Sequence, residues 1–333
     1  MTNTLSRYGG AVVAAVLALL LPAAAQPGGT PLTFSQLQGW SGDDHAAALA
    51  AFKTSCSQAG EQLRRVCRLA NSVAPAQARA FFEAEFMPRL IDERGFLTGY
   101  FEPELSGALR QDARHAAPAL SLPTGDRSNL PDRTAIEEGA LAGRSRALLY
   151  MDAIDLFVTQ IQGSARIRLT DGRVVRLAYA GRNGKPYTAV GKVLVDRGIM
   201  RLEDVTMDRI VAWMRAHPDK AGELIRQNRS YVFFRIDDAV SPTAGPVGGA
   251  GVPLSAGRSL AVDRSVWPYG LPMWIESEPE TGPLRRLVVA QDTGTAIVGA
   301  ARADLFVGTG ETAGLEAGRI RHPMRMVVLV PRQ

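Results

Sequence analysis

Three aspartates have a spacing that could support chemistry. Asp263 closes the run Leu260-Ala261-Val262-Asp263, Asp292 lies in Val289-Ala290-Gln291-Asp292-Thr293-Gly294, and Asp304 lies in Ala303-Asp304-Leu305-Phe306-Val307-Gly308. Each adjoins a short apolar run, where strands end and side chains can point into a cleft. Carboxyl groups so placed can move protons in acid–base catalysis. Aspartates at strand ends also satisfy turn amides, so spacing alone does not separate the two roles.

The competing chemistries are weaker. Asp292-Thr293-Gly294 has a superficial likeness to an aspartic protease loop, but such an enzyme needs two facing loops and this chain has one. His45, His115, His217 and His322 are each isolated, with no His-x-x-x-His or His-x-His spacing, so no metal site and no cofactor is expected. No Gly-x-Ser-x-Gly elbow is present. Gly163-Ser164-Ala165 follows a strand-like run, and that serine alone says little.

The elements that must position the aspartates read as helices first and short strands later. Asp43 or Asp44 can cap a helix over Ala46–Phe52. Pro75–Met87 is a second helix, with Pro75 at its first position and Pro88 stopping it. Phe96–Phe101 is strand-like, and residues 106–145 are loop-rich without a sustained period. Ile161, Ala165, Ile167 and Leu169 alternate into Asp171-Gly172 and then Val174–Tyr179, a strong hairpin signal. Helices follow at Val190–Arg197 and Val205–His217, the latter ended by Pro218. Tyr231–Ile236, Ser259–Val262, Met273–Ile275, Leu287–Ala290 and Met326–Val330 are β-prone runs broken by Gly and Pro. Many short strands with abundant turn residues predict an α+β, mainly β protein with a barrel-like C-terminal part.

Composition bounds the partners. The chain has 333 residues, 46% apolar and 21% charged, which excludes a disordered chain, a coiled coil and a polytopic membrane protein. Arg7, the aliphatic run Ala11–Leu21 and Ala23-Ala24-Ala25 have the layout of a signal peptide over residues 1–25, with cleavage before Gln26. Without that segment the formal charge falls from +5 to +4. The charge suits an anionic polymer as partner, and the scattering of basic residues among acids argues against nucleic acid. Export also permits a disulfide between Cys56 and Cys67, the two cysteines of the chain.

The three-aspartate pattern resembles the 3D domain, and the rest of the chain resembles the membrane-bound lytic murein transglycosylase A family. The resemblance is carried by Leu37–Trp40 with Asp43-Asp44, Ser55-Cys56, Phe96–Pro103, Phe157–Gly163, Tyr179–Gly184, Tyr231–Arg235, Val252–Asp263, Ala290–Gly294 and Asp304–Phe306. Its most specific stretches are Gln160-Ile161-Gln162-Gly163-Ser164 and Asn183-Gly184-Lys185-Pro186-Tyr187. It implies a double-psi β-barrel domain over residues 31–105 and 231–332. A smaller β-rich domain over 106–230 is inserted into it, with a groove between them.

The resemblance also implies a reaction: cleavage of the β-1,4 bond between N-acetylmuramic acid and N-acetylglucosamine in peptidoglycan, leaving a 1,6-anhydro end. The family's catalytic residue falls on Asp304. Asp304 must start protonated, so apolar surroundings from Ala303, Leu305 and Phe306 or the charge of Asp292 are expected to raise its pKa. Asp292 is expected to orient substrate or tune Asp304, and Asp263 to be structural. Thr98, Tyr100, Gln162, Gly163, Ser164, Asn183, Tyr187 and Thr188 are the expected sugar-binding residues. The expected partners are peptidoglycan glycan strands and cell-wall synthesis or division complexes, met by a monomer in the periplasm of a Gram-negative bacterium. The signal peptide lacks a lipid-attachment cysteine, so membrane association is in doubt. A hydrolase using Asp304 with Asp292, and a non-catalytic expansin-like wall-binding module, are the alternatives.

Overall fold

The computed structural model describes residues 29–91, 94–237, 244–279 and 282–332. The signal peptide expected over residues 1–25 lies outside them. In chain order the strands and helices begin β1 (Thr30–Pro31), α1 (His45–Ser55), α2 (Arg64–Asn71), α3 (Ala78–Glu85), β2 (Phe86–Leu90), β3 (Gly95–Glu102), β4 (Glu104–Gly107), β5 (Ala117–Leu120), α4 (Arg133–Glu137) and β6 (Ala147–Met151). They continue α5 (Ala153–Gln162), β7 (Ala165–Leu169), β8 (Val174–Arg182), α6 (Val190–Asp196), α7 (Met207–Ala216), α8 (Pro218–Arg226) and β9 (Val232–Asp237). The last are β10 (Ser259–Val262), β11 (Pro272–Ser277), β12 (Leu284–Asp292), β13 (Arg302–Thr309), α9 (Glu311–Gly318) and β14 (Arg321–Pro331).

The larger sheet closes on itself. Its order runs β1-β2-β14-β11-β12-β10-β13-β3, and β3 pairs back onto β14. The long β14 makes this possible, since Arg321–Met324 pair with β3 while Met324–Val328 pair with β11. Two of the pairings, β10 with β12 and β13 with β3, are parallel. The result is a closed six-stranded barrel, which removes the exposed edges an open sheet would leave. Its core is continuous with the N-terminal helices, where Phe52 and Phe82 are completely buried together with Phe86 at the start of β2. Asp43 fastens this helical layer to the barrel, accepting from both Arg258 guanidinium nitrogens at 2.8 and 3.0 Å and from the Leu287 amide at 2.9 Å. Cys56 and Cys67 form the disulfide between the helical turns.

A second sheet, β4-β7-β8-β9, stands beside the barrel, with the two-stranded β5-β6 sheet and helices α4–α8 around it. The two chain segments that join this sheet to the barrel are clamped together. Glu102, fully buried at the end of β3, accepts from Arg176 Nε at 2.5 Å and Arg166 Nε at 3.2 Å. Both arginines also donate to the Ala244 carbonyl, at 2.9 and 3.0 Å.

Several elements differ from the sequence expectation, each for a long-range reason. The helix over Pro75–Met87 stops at Glu85, because Phe86–Leu90 is recruited as β2 by pairing with β14. Ile161 is not strand but the last turn of α5, which ends in Gly163 at φ 86°, a left-handed cap that glycine adopts without strain. The helix expected over Val205–His217 does end before Pro218, but Pro218 itself then opens α8 at its first position, where a missing amide costs nothing. The loop-rich stretch 106–145 holds β5 and α4. The return to the barrel expected at residue 231 comes later, since β9 pairs with β8 and β4 pairs with β7, so residues 104–107 and 232–237 belong to the four-stranded sheet.

Candidate active site

Four strands of the barrel set the site in one row. β10 lies between β12 and β13, and β13 lies beside β3. Along that order Asp292 pairs with Ala261, Ala261 with Asp304, and Asp304 with Thr98. Asp292 reaches this row through a bulge. Leu260 pairs with Ala290, yet the next residue, Ala261, pairs with Asp292, so Gln291 is the extra residue. Without the bulge Asp292 would fall one residue out of the row, on the opposite pleat, because side chains alternate between faces. Gln291 is fully buried and locked by donating to the Ala51 carbonyl at 3.0 Å and Ser55 Oγ at 2.8 Å on α1, and by a contact with Ser259. Ala261 stands between the two acids in the register.

Asp304 accepts a hydrogen bond from Thr98 Oγ1 at 2.6 Å, and Arg302 Nη2 donates to the same Thr98 oxygen at 2.8 Å. Arg302, Asp304 and Phe306 share one face of β13, whereas Ala303 and Leu305 point into the barrel core. Of the three neighbours expected to cover Asp304, only Phe306 shares its face, and Phe306 packs against Tyr100 at 5.4 Å between ring centres. Removal from water pushes the Asp304 carboxyl up to about 6. The Thr98 hydrogen bond and the Arg302 charge oppose that rise, and Asp292 adds a smaller upward push.

Asp292 is held at both oxygens. Tyr100 donates to Oδ2 at 2.6 Å, and the amides of Gly249 and Thr293 donate to Oδ1 at 2.8 and 2.9 Å. Burial raises its pKa against these three donors. Thr98 and Tyr100 lie on one face of β3 by period two, and each holds one of the two acids. Asp263 stands apart: its oxygens accept from the Ser265 amide and hydroxyl and from the Gly299 amide, which depress its pKa and spend it on two turns.

The residues expected from the second sheet divide. Tyr187 comes close enough for the Asp304 charge, after burial, to help raise its phenol. Gln162 Oε1 accepts from the Phe101 amide at 3.2 Å, tying the end of α5 to β3, and Gly163 beside it has open space where a side chain would stand. Ser164 is buried where the chain enters β7. The structure gives Asn183 a structural part instead of the expected sugar contact: its side-chain nitrogen donates to the carbonyls of Pro131 and Arg229, and its oxygen accepts from Tyr231 and Lys185 amides. Thr188 is fixed through its amide, which donates to Asn228 Oδ1 at 3.1 Å.

Sequence reasoning missed three members. Arg302 was readable from period two, since it precedes Asp304 by two residues. Gly249 and Tyr269 had no local signal. A side chain at Gly249 would meet the Tyr269 hydroxyl at 2.4 Å, so the glycine is what lets its amide reach Asp292. Tyr269 in turn stacks under the Arg264 guanidinium at 3.7 Å.

Comparison with known proteins covers both sheets. The MltA specific insert domain matches residues 96–235, and the 3D domain matches residues 258–330. A Vibrio cholerae protein named membrane-bound lytic murein transglycosylase A is 36% identical over 243 residues, which are 69% of this chain and 64% of that protein. The match therefore spans just under two thirds of that relative's length. A crystal structure of a membrane-bound lytic murein transglycosylase from Agrobacterium tumefaciens is similar at a TM-score of 0.83 and 33% identity, covering 91% of this chain and 97% of that one. The structure of E. coli MltA with bound chitohexaose is similar at a TM-score of 0.73 and 26% identity, covering 95% and 94%.

Proposed function

Because the chain belongs to the membrane-bound lytic murein transglycosylase A family, we propose that it cleaves the β-1,4 bond between N-acetylmuramic acid and N-acetylglucosamine in peptidoglycan without water, leaving 1,6-anhydromuramic ends. The observation that carries this reading is the pair of unequal acids. Asp304, pushed up to about 6, keeps a protonated fraction near neutrality, while Asp292 has both oxygens occupied by donors. A hydrolytic glycosidase needs a second carboxylate free to activate water or attack carbon, and Asp292 is not free.

One carboxyl suffices if the nucleophile lies within the substrate. Asp304 gives its proton to the glycosidic oxygen as the bond to C1 breaks. Its carboxylate then takes the proton from the muramyl C6 hydroxyl as that oxygen bonds to C1. Atoms and charge balance, and Asp304 ends protonated for the next cycle. Thr98 and Arg302 stabilise the intermediate carboxylate, which keeps the pKa from climbing too far to deliver a proton back and forth. The glycan lies between the barrel and an insert domain comprising residues 104–237, with Thr98 and Asp304 contacting it from the barrel and Tyr187, Gln162 and Gly163 from the insert. The structure of the E. coli relative with bound chitohexaose supports a glycan as the ligand class. The protein acts outside the cytoplasmic membrane after loss of residues 1–25. Among the described residues no helix is long and apolar enough to cross a membrane.

The test is mass spectrometry of murein sacculi digested by the protein and by Asp304→Ala. Anhydromuropeptides from the first and none from the second support the reading. Reducing muramic ends would turn it to a hydrolase, and release by neither protein would turn it to a wall-binding module.

A further inference from the structure

A second arrangement of catalytic type lies on the four-stranded sheet, outside the site just described. Ser106 Oγ is 2.9 Å from His115 Nε2, and His115 Nδ1 is 2.9 and 3.1 Å from the two oxygens of Asp112. The protonation pattern follows from the partners. A carboxylate only accepts, so Nδ1 carries the hydrogen that Asp112 receives, and in neutral imidazole Nε2 is then the acceptor for the Ser106 hydroxyl. Asp112 also accepts the backbone amides of Arg114 and His115 at 2.8 and 2.7 Å, which fixes its orientation. Its pKa is lowered to about 2, with the His115 ring as the first cause, so it is a full carboxylate at neutral pH. A nucleophile hydrogen-bonded to a base, with the base oriented by a third group, is the arrangement that activates a serine.

The serine opens onto a cavity. Ser106 and Glu104 project from the outer face of β4, whereas Leu105 packs on the sheet's core. Ser106 and the cations Arg114, Arg166, Arg168 and Arg215 line a cavity of about 560 Å³ together with the acids Glu104 and Asp155 and three apolar residues, a size that admits a small organic molecule. Arg166 is tied to Glu102 and Arg215 to Asp155, while Arg114 and Arg168 are exposed. Arg168 is the register partner of Ser106 on the neighbouring strand, which sets a cation directly beside the hydroxyl. His115 is buried next to the serine, so it is shielded while the hydroxyl is reachable.

We propose that Ser106, His115 and Asp112 form a second, ester-hydrolysing site, taking small acyl esters of alcohols that carry a carboxylate. Ser106 Oγ bonds to the acyl carbon while His115 takes its proton, and His115 passes that proton to the departing alkoxide. Water then attacks the acyl-serine with His115 again as base, releasing the carboxylic acid and restoring the hydroxyl. The arginines hold the substrate carboxylate and supply positive charge to the oxyanion that forms at the carbonyl oxygen. The site shares no residue with the Asp304 row, so it stands or falls apart from the transglycosylase reading.

The full chain is incubated with a fluorophosphonate and the labelled residue mapped by peptide mass spectrometry. Turnover of 4-acetoxybenzoate, an acetyl ester with a carboxylate on its alcohol, is measured beside that of neutral 4-nitrophenyl acetate. One phosphonate on Ser106, loss of at least 100-fold in ester turnover in Ser106→Ala and His115→Gln, and a raised KM for 4-acetoxybenzoate alone in Arg168→Ala are the expected results. Labelling at another residue, no labelling, or turnover indifferent to Ser106→Ala overturns the proposal. The mapping needs no variant, so a misfolded substitution cannot decide the outcome.

Discussion

Replacing Asp304 with asparagine is expected to make the protein more stable at neutral pH while abolishing its activity. The Asp304 carboxyl stands at about 6 against an ordinary value of 3.8. That difference of about 2 units is worth roughly 3 kcal/mol, all of it a penalty on the folded state whenever the group is charged. The sign follows from proton binding. Between about pH 4 and pH 6 the folded protein holds a proton that the unfolded chain has released, so stability falls as pH rises through that window and stays low above it. The amide introduced by Asp304→Asn still offers an oxygen to Thr98 but cannot ionise. The variant's advantage over the parent is therefore near zero at pH 4 and grows to a plateau by pH 7. The residue as a whole is half-buried, and nearby solvent screens part of the penalty, so we expect about 1–3 kcal/mol. For a protein of this size that is roughly 2–8 °C in thermal midpoint. The assay is a thermal melt of both proteins from pH 4 to pH 8, read by circular dichroism. A stability difference that is constant with pH, or a variant less stable than the parent at pH 7.5, would refute the assignment of Asp304 as a desolvated acid.

Three more outcomes follow from the same geometry. Transglycosylase kcat/KM is expected to fall about tenfold per pH unit above about 6, because the protonated form of Asp304 is the reactive one; a profile still rising from pH 6 to 8 would contradict that. Thr98→Val removes a donor that stabilises the carboxylate, so the falling limb is expected to move to higher pH, as a pH–rate titration of the variant can establish. Glu102→Ala leaves Arg176, which is 3% exposed, buried beside Arg166 without their shared acid, and is expected to cost about 3–5 kcal/mol in urea unfolding.

What the sequence disclosed was local, and what it withheld was pairing. The Asp171-Gly172 hairpin joins β7 to β8 as its turn chemistry required. The aspartate runs could be seen as strand ends, but nothing in Val289–Gly294 announces the bulge at Gln291, because the bulge is fixed by contacts on α1 some 240 residues away in the chain. Tyr231–Ile236 was readable as a strand but not as a partner of β8, since β propensity reports a pleated, half-buried surface and not a neighbour. Asn183 sits in a motif rich in groups that suit sugars, and only the fold shows its own side-chain amide turned onto backbone groups. Ser106, Asp112 and His115 lie close together in the chain, yet in a stretch without period there was no signal that they meet.

The clamp around Glu102 has a mechanical meaning. The strand leaving the barrel and the segment returning at Ala244 are gripped by the same two guanidinium groups, so the two bodies are joined by a weld and not by a swivel. A jaw that closes on its cargo needs a compliant joint, and here compliance would mean breaking buried ionic contacts with every cycle. On the proposed reading, a glycan between the sheets would meet a joint whose opening breaks these buried contacts, so it would thread through lengthwise instead of being seized and let go.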